Sequence, residues 1–221
     1  MLSYSYLLLI VASTLIGLGA QFYVNNQIKK YSEVPSTTGL SGAEAASRML
    51  ASHSISGVPI YQGRESEDHF DPRSNSITLD PHAYGQRSIT AIATGCHEAG
   101  HACQYAKGYA PMKVRSALVP VVNLASNAWM ILLILGFALN LAGLIDLAII
   151  LYAFAVLFQL VTLPVEFDAS RRALDYLKAS GLPQGEQAGA FSVLRACALT
   201  YVAAALVSAM QLLWLLNQRQ N

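Results

Sequence analysis

ALVPVVNLASNAWMILLILGFALNLAGLIDLAIILYAFAVLFQLVTL, residues 117–163, carries one formal charge, Asp146, in 47 positions. A helix needs about 20 apolar residues to cross roughly 30 Å of hydrocarbon. The run is too long for one span and fits two, with the reversal between Asn140 and Asp146, where Gly143 also falls. A chain that crosses and returns leaves its two flanks on one membrane face. Whatever precedes Ala117 can therefore meet whatever follows Leu163.

Upstream lies His97-Glu98-Ala99-Gly100-His101. On a helix, positions i and i+4 share a face, so both imidazoles can close on a single Zn2+. Glu98, about 100° round the helix, can reach a water held at the metal's open position. In a chain with 5 His and few Glu, this spacing arises by chance in roughly a few cases per thousand. A catalytic zinc site takes three protein ligands, so a third must come from the same side of the membrane. Downstream, Glu166 stands just past the hairpin and is the candidate. Spacing alone leaves it equally open to a second reading, a solvated helix start in which Glu166, Arg171 and Arg172 form ion pairs.

Residues Tyr4 to Tyr23 form another uncharged apolar run, and no Lys or Arg precedes it, while Lys29 and Lys30 follow. That reads as an uncleaved anchor with its basic flank in the cytoplasm. Phe191 to Leu216 supplies a fourth span. With the N-terminus outside, residues 24–116 and 164–190 are both cytoplasmic; of the 14 Lys and Arg, all but Arg195 and Arg219 fall there. Composition agrees: 54% of residues are hydrophobic and 12% charged, against roughly 25% charged in a soluble chain. A net charge of +1 gives no case for nucleic acid. Cys96, Cys103 and Cys197 form no metal-type pair and read as small apolar fillers.

The polar stretch between the first two spans has its own pattern. Ser41 with Glu44 three residues on is a capping box opening a helix to about His53. Val58 to Tyr61 and Ser76 to Leu79 are β-prone, with a turn cluster at Asp71 to Asn75, which predicts a small antiparallel sheet. Asp80-Pro81 then introduces a motif helix from about Ala83 to Lys107, and Pro164 marks the exit from the third span.

The motif, followed by two spans and then Pro164-Val165-Glu166-Phe167-Asp168-Ala169-Ser170-Arg171-Arg172-Ala173, resembles the bacterial membrane-bound neutral zinc metallopeptidases. These are relatives of the gluzincin membrane proteases that include the heat-shock quality-control protease and the prenyl-protein endopeptidase. The likeness extends to Asp68-His69-Phe70-Asp71-Pro72-Arg73 and to the anchor. It implies that His97, His101 and Glu166 bind one Zn2+ per chain and that Glu98 is the general base for peptide hydrolysis. The wider gluzincin pattern has an Asp four residues after the ligand Glu, able to orient a ligand His; here that position is Ser170, with Asp168 on another face. His69, His82, Tyr105, Arg171 and Arg172 are candidate donors to the oxyanion. Ser76, Ile77, Thr78 and Leu79 form a candidate edge strand that an extended substrate could join.

The expected organisation is thus a mainly α integral membrane protein: an anchor (1–24), a small α+β zincin-like cytoplasmic catalytic domain (25–116), a transmembrane hairpin (117–163), a cytoplasmic segment with the third ligand (164–190), and a last span with its tail (191–221). The expected partners are the bilayer of a bacterial plasma membrane and a peptide or membrane-protein substrate, in quality control or processing; no oligomeric state is implied. Two rivals remain. An intramembrane site-two-type protease would use Asp146 as third ligand. A membrane scaffold with structural zinc would want a fourth protein ligand, for which Cys96 and Cys103 are the candidates.

Overall fold

A computed structural model describes residues 4–220. Its elements are α1 (Tyr4–Ser32), α2 (Gly42–Ser52), β1 (Ile60–Gln62), β2 (His69–Asp71), β3 (Ser76–Leu79), α3 (Pro81–Gly85), α4 (Ile89–Ala106), α5 (Ala110–Ala138), α6 (Ala142–Ala179) and α7 (Gln184–Gln220). By length and composition α1, α5, α6 and α7 are able to cross a membrane. They pack in a row: α5 on α6, α6 on α7, α7 on α1. Large side chains such as Leu15, Leu124, Ile131 and Leu213 stay exposed along them, as lipid-facing surfaces should.

The hairpin reverses at Leu139-Asn140-Leu141, where Asn140 adopts φ 53° and the Leu141 N–H donates to the Gly136 carbonyl at 2.9 Å. Asn is among the few residues that take this left-handed conformation readily. The reversal needs only three residues, so Gly143 lies within α6.

Pro164 does not end the helix that carries the third span. Helix α6 runs through it for 38 residues, about 57 Å at 1.5 Å per residue. Proline removes one helical hydrogen bond. Here the far side of the proline is held by packing: Val165, Ala169 and Ala173 are fully buried. The span and the segment after it are one rod.

The polar stretch forms a compact cap. Helix α2 opens with the capping box: the Ser41 hydroxyl accepts from the Glu44 N–H, and the Glu44 carboxylate accepts from the Ser41 N–H at 2.8 Å. The expected motif helix is two helices. Asp80 caps the short α3, taking the Ala83 N–H at 2.6 Å. Residues 86–88 are then drawn out of helix by pairing with 34–36: Ile89 N–H donates to Val34, Ser36 N–H to Arg87, and Pro35 bridges Ser88. Ser88 caps the new start through the Ala91 N–H. Helix α4 is therefore shorter than Ala83 to Lys107, and it enters from the sheet side.

The sheet also differs from expectation. Its order is β1-β3-β2, with β1 parallel to β3 (Ile60 opposite Ile77) and β2 antiparallel to it (Phe70 opposite Ile77). The intervening strand His69–Asp71 sits in the stretch between the two β-prone runs, so the chain crosses over and those runs pair parallel. Ser76-Ile77-Thr78-Leu79 is consequently the central strand and not an edge, and with both neighbours in place it offers no free ladder to a substrate. The free edges are β1 and β2.

One core joins both polar segments. Met49 of α2, Ile77 of β3, Ile92 of α4, Val165 and Leu177 of α6 and Val193 of α7 are all buried in it. Each such side chain contributes on the order of 1.5–3 kcal/mol. The end of α6 is thereby locked against α4, which carries the two histidines.

Candidate metal centre

His97 and His101 leave the same face of α4, their rings edge to face with centroids 4.7 Å apart. Glu166 arrives from α6 and is 1% exposed. Its Oε2 lies 3.2 Å from His97 Nε2 and 3.5 Å from His101 Nε2. One ligand atom from each of the three residues falls within 4.8 Å of the other two. Two helices close in sequence space only after two spans thus deliver two imidazole nitrogens and one carboxylate oxygen to a single point.

The close approach depends on glycine. A Cβ on Gly100 would stand 2.7 Å from the Ala169 carbonyl oxygen, so only glycine lets the α4 backbone lie against α6 here. On the other side of α4, Gly95 meets Gly42 in the same way, with a Cβ placed 2.1 Å from the Gly42 carbonyl oxygen.

Glu98 is 6% exposed and receives the Phe70 backbone N–H from β2. Burial pushes its carboxyl up to about 7; His97 opposes this, and the charges of Glu166 and Asp68 add to it. A carboxylate poised near neutrality can accept and return a proton.

A sequence profile for the family described as "Putative neutral zinc metallopeptidase" matches residues 6–220. The chain belongs to this family. The neutral zinc metallopeptidase match is joined by a Bacillus subtilis (strain 168) protein carrying the name "Putative membrane protease YugP", 42% identical over 210 residues that cover 94% of this chain and 93% of that one. No solved structure matches.

The donor set fits the metal in this family's name. Two imidazoles and a carboxylate suit Zn2+, and three protein ligands leave a fourth position open. The Nδ1 atoms, which do not face the common point, are engaged elsewhere: Ser170 Oγ lies 3.2 Å from His97 Nδ1, and Gln104 Oε1 lies 3.1 Å from His101 Nδ1. Metal-bound histidines are ordinarily held this way at the other nitrogen.

Other expected residues distribute unevenly. Asp168 touches neither histidine; it takes Arg171, Arg172 and the amide of Gln104. Arg171 and Arg172 both pair with Asp168. His82 is exposed on α3 and bonds Gln86 at 2.8 Å. His69 is exposed on β2, and Tyr105 is exposed with its ring 5.7 Å from that of Phe70.

Two residues were missed by sequence reasoning. Gln104, three residues after His101, was hidden in an apolar helix; a polar residue on the buried face was the available signal. Arg115, counted only among the basic residues of 24–116, sets Nη1 3.7 Å from Glu166 Oε1, the oxygen turned away from the histidines.

The residues on which the two rivals depend stand apart from the point where His97, His101 and Glu166 meet. Asp146 pairs with Arg219 near the start of α6, about 30 Å along the rod from Glu166. Cys96 and Cys103 are buried in the apolar core, and among the described residues the metal-type cluster holds His97, His101 and Glu166 without them.

Proposed function

We propose that this chain is a membrane-embedded zinc endopeptidase of gluzincin type, binding one Zn2+ through His97, His101 and Glu166, with Glu98 as general base. The observation that carries the reading is the meeting of the three donor groups from α4 and α6 beside a buried carboxylate at the adjacent position. Zinc, when bound, supplies a Lewis acid that acidifies water and polarises a carbonyl. Glu98 accepts the proton of the attacking water and returns it to the leaving amine. His97 and His101 are oriented by Ser170 and Gln104, and Arg115 restrains the second oxygen of Glu166.

The substrate is an extended segment of a peptide or membrane protein, consistent with quality control or processing. The strand edge that serves it is β2, because β3 is enclosed and β2 is the edge that reaches Glu98 through Phe70. The catalytic cap, built from 25–116 and 164–190, is zincin-like and lies on the cytoplasmic face of a bacterial plasma membrane, with the N-terminus outside; the basic residues flanking the spans support this orientation.

The test is hydrolysis of an unfolded protein such as casein by the purified chain and by its Glu98→Gln form. Cleavage by the native chain that is abolished in Glu98→Gln, with zinc retained in both, is the expected result. Equal and null activity in both, with zinc bound, would overturn the reading.

A further inference from the structure

Gln104 is 0% exposed, and every hydrogen-bonding atom of its amide is used. Nε2 donates to the Val165 carbonyl at 2.7 Å and to Asp168 Oδ2 at 3.0 Å, while Oε1 faces His101 Nδ1 at 3.1 Å. A backbone carbonyl only accepts, and so does a carboxylate held by two arginines. Turning the amide over would press Oε1 against two oxygens in a buried site, where an unpaired polar contact is costly. The orientation of the amide is therefore dictated from α6 and not by the histidine. With Oε1 facing it, His101 Nδ1 carries the proton, and the lone pair of Nε2 is left pointing to the common point with Glu166.

We propose that Gln104 is a positioning residue that selects the metal-competent tautomer of His101, and that Asp168 is the anchor holding its amide the right way round. The inference rests on the zinc reading above. His97 has no equivalent selector, because the Ser170 hydroxyl can donate or accept. The carboxylate that would ordinarily touch a ligand histidine is here displaced by one side chain: it acts through Gln104, with Arg171 and Arg172 on its other lone pairs.

The experiment measures zinc affinity by chelator competition, and the metal-free melting temperature, on the purified full-length chain in detergent. Gln104→Met keeps the length and removes all three bonds; its zinc affinity should fall roughly 10- to 100-fold. In the metal-free native chain, long-range 15N–1H correlation spectra of His101 should place the ring proton on Nδ1, and in Gln104→Met the two tautomers should mix, which a merely space-filling role would not produce. Native-like affinity in a folded Gln104→Met form would overturn the role. Should that variant not fold, a native His101 carrying its proton on Nε2 would overturn it. A native chain that binds no zinc would instead remove the zinc reading itself, before any variant is compared.

Discussion

Gly100 and Ala169 touch backbone to backbone: a Cβ on the first would sit 2.7 Å from the carbonyl oxygen of the second. The glycine stands between the two histidines, and the alanine three residues after Glu166, so this contact sets how near the three donors come. Gly100→Ala should cost about 1–3 kcal/mol through overpacking and weaken zinc binding, because a helix backbone cannot give way as a side-chain tip can. Gly143→Ala is the control: nothing lies within 4 Å of a Cβ there, and alanine favours the helix by up to about 1 kcal/mol. Melting curves with and without zinc separate the two.

Removal of the Glu166 carboxylate has a distinct signature. Added zinc should raise the melting temperature of the native chain, since a ligand that binds only the folded state stabilises it by mass action. Glu166→Gln should abolish that rise, leaving the two melting curves superimposed at all zinc concentrations. Glu98→Gln should keep it.

Ser170 offers a change in either direction. Ser170→Ala removes the partner of His97 Nδ1 and should lower zinc affinity, by about tenfold or more. Ser170→Asp puts a carboxylate at that nitrogen, which raises the basicity of the ring, and should tighten binding beyond that of the native chain. Chelator competition reads both.

The Ser41 cap tests stability apart from the metal. Ser41→Ala loses the bond to the Glu44 N–H and should cost about 1 kcal/mol. Thermal melting of the metal-free chain should register this, with zinc affinity unchanged.

What the sequence made legible was what chemistry or lipid imposes locally. His97, Glu98 and His101 have a spacing that packing alone does not demand, Ser41 and Glu44 form a cap within one turn, and residues 117–163 have too much apolar length for one crossing. The misreadings share a cause, in that each depended on contacts distant in the chain. Pro164 reads as a helix end until Val165, Ala169 and Ala173 are seen packed against α4. Ser76 to Leu79 reads as an edge strand paired antiparallel with Val58 to Tyr61 until His69 to Asp71 takes the antiparallel place beside it and leaves the first run parallel. Residues 86–88 continue a helix by propensity, and pairing with 34–36 pulls them out. Gln104 resembles any helical glutamine until Asp168 and His101 stand on either side of it.

The unbroken course of α6 ties the metal point to the lipid. A membrane helix answers a change in bilayer thickness by tilting, and α6 carries the apolar span and Glu166 in one helix. With His97, His101 and Glu166 holding zinc as proposed, zinc affinity measured in bilayers of graded thickness gauges how far a tilt of the apolar half of α6 passes Pro164 and reaches the Glu166 carboxylate.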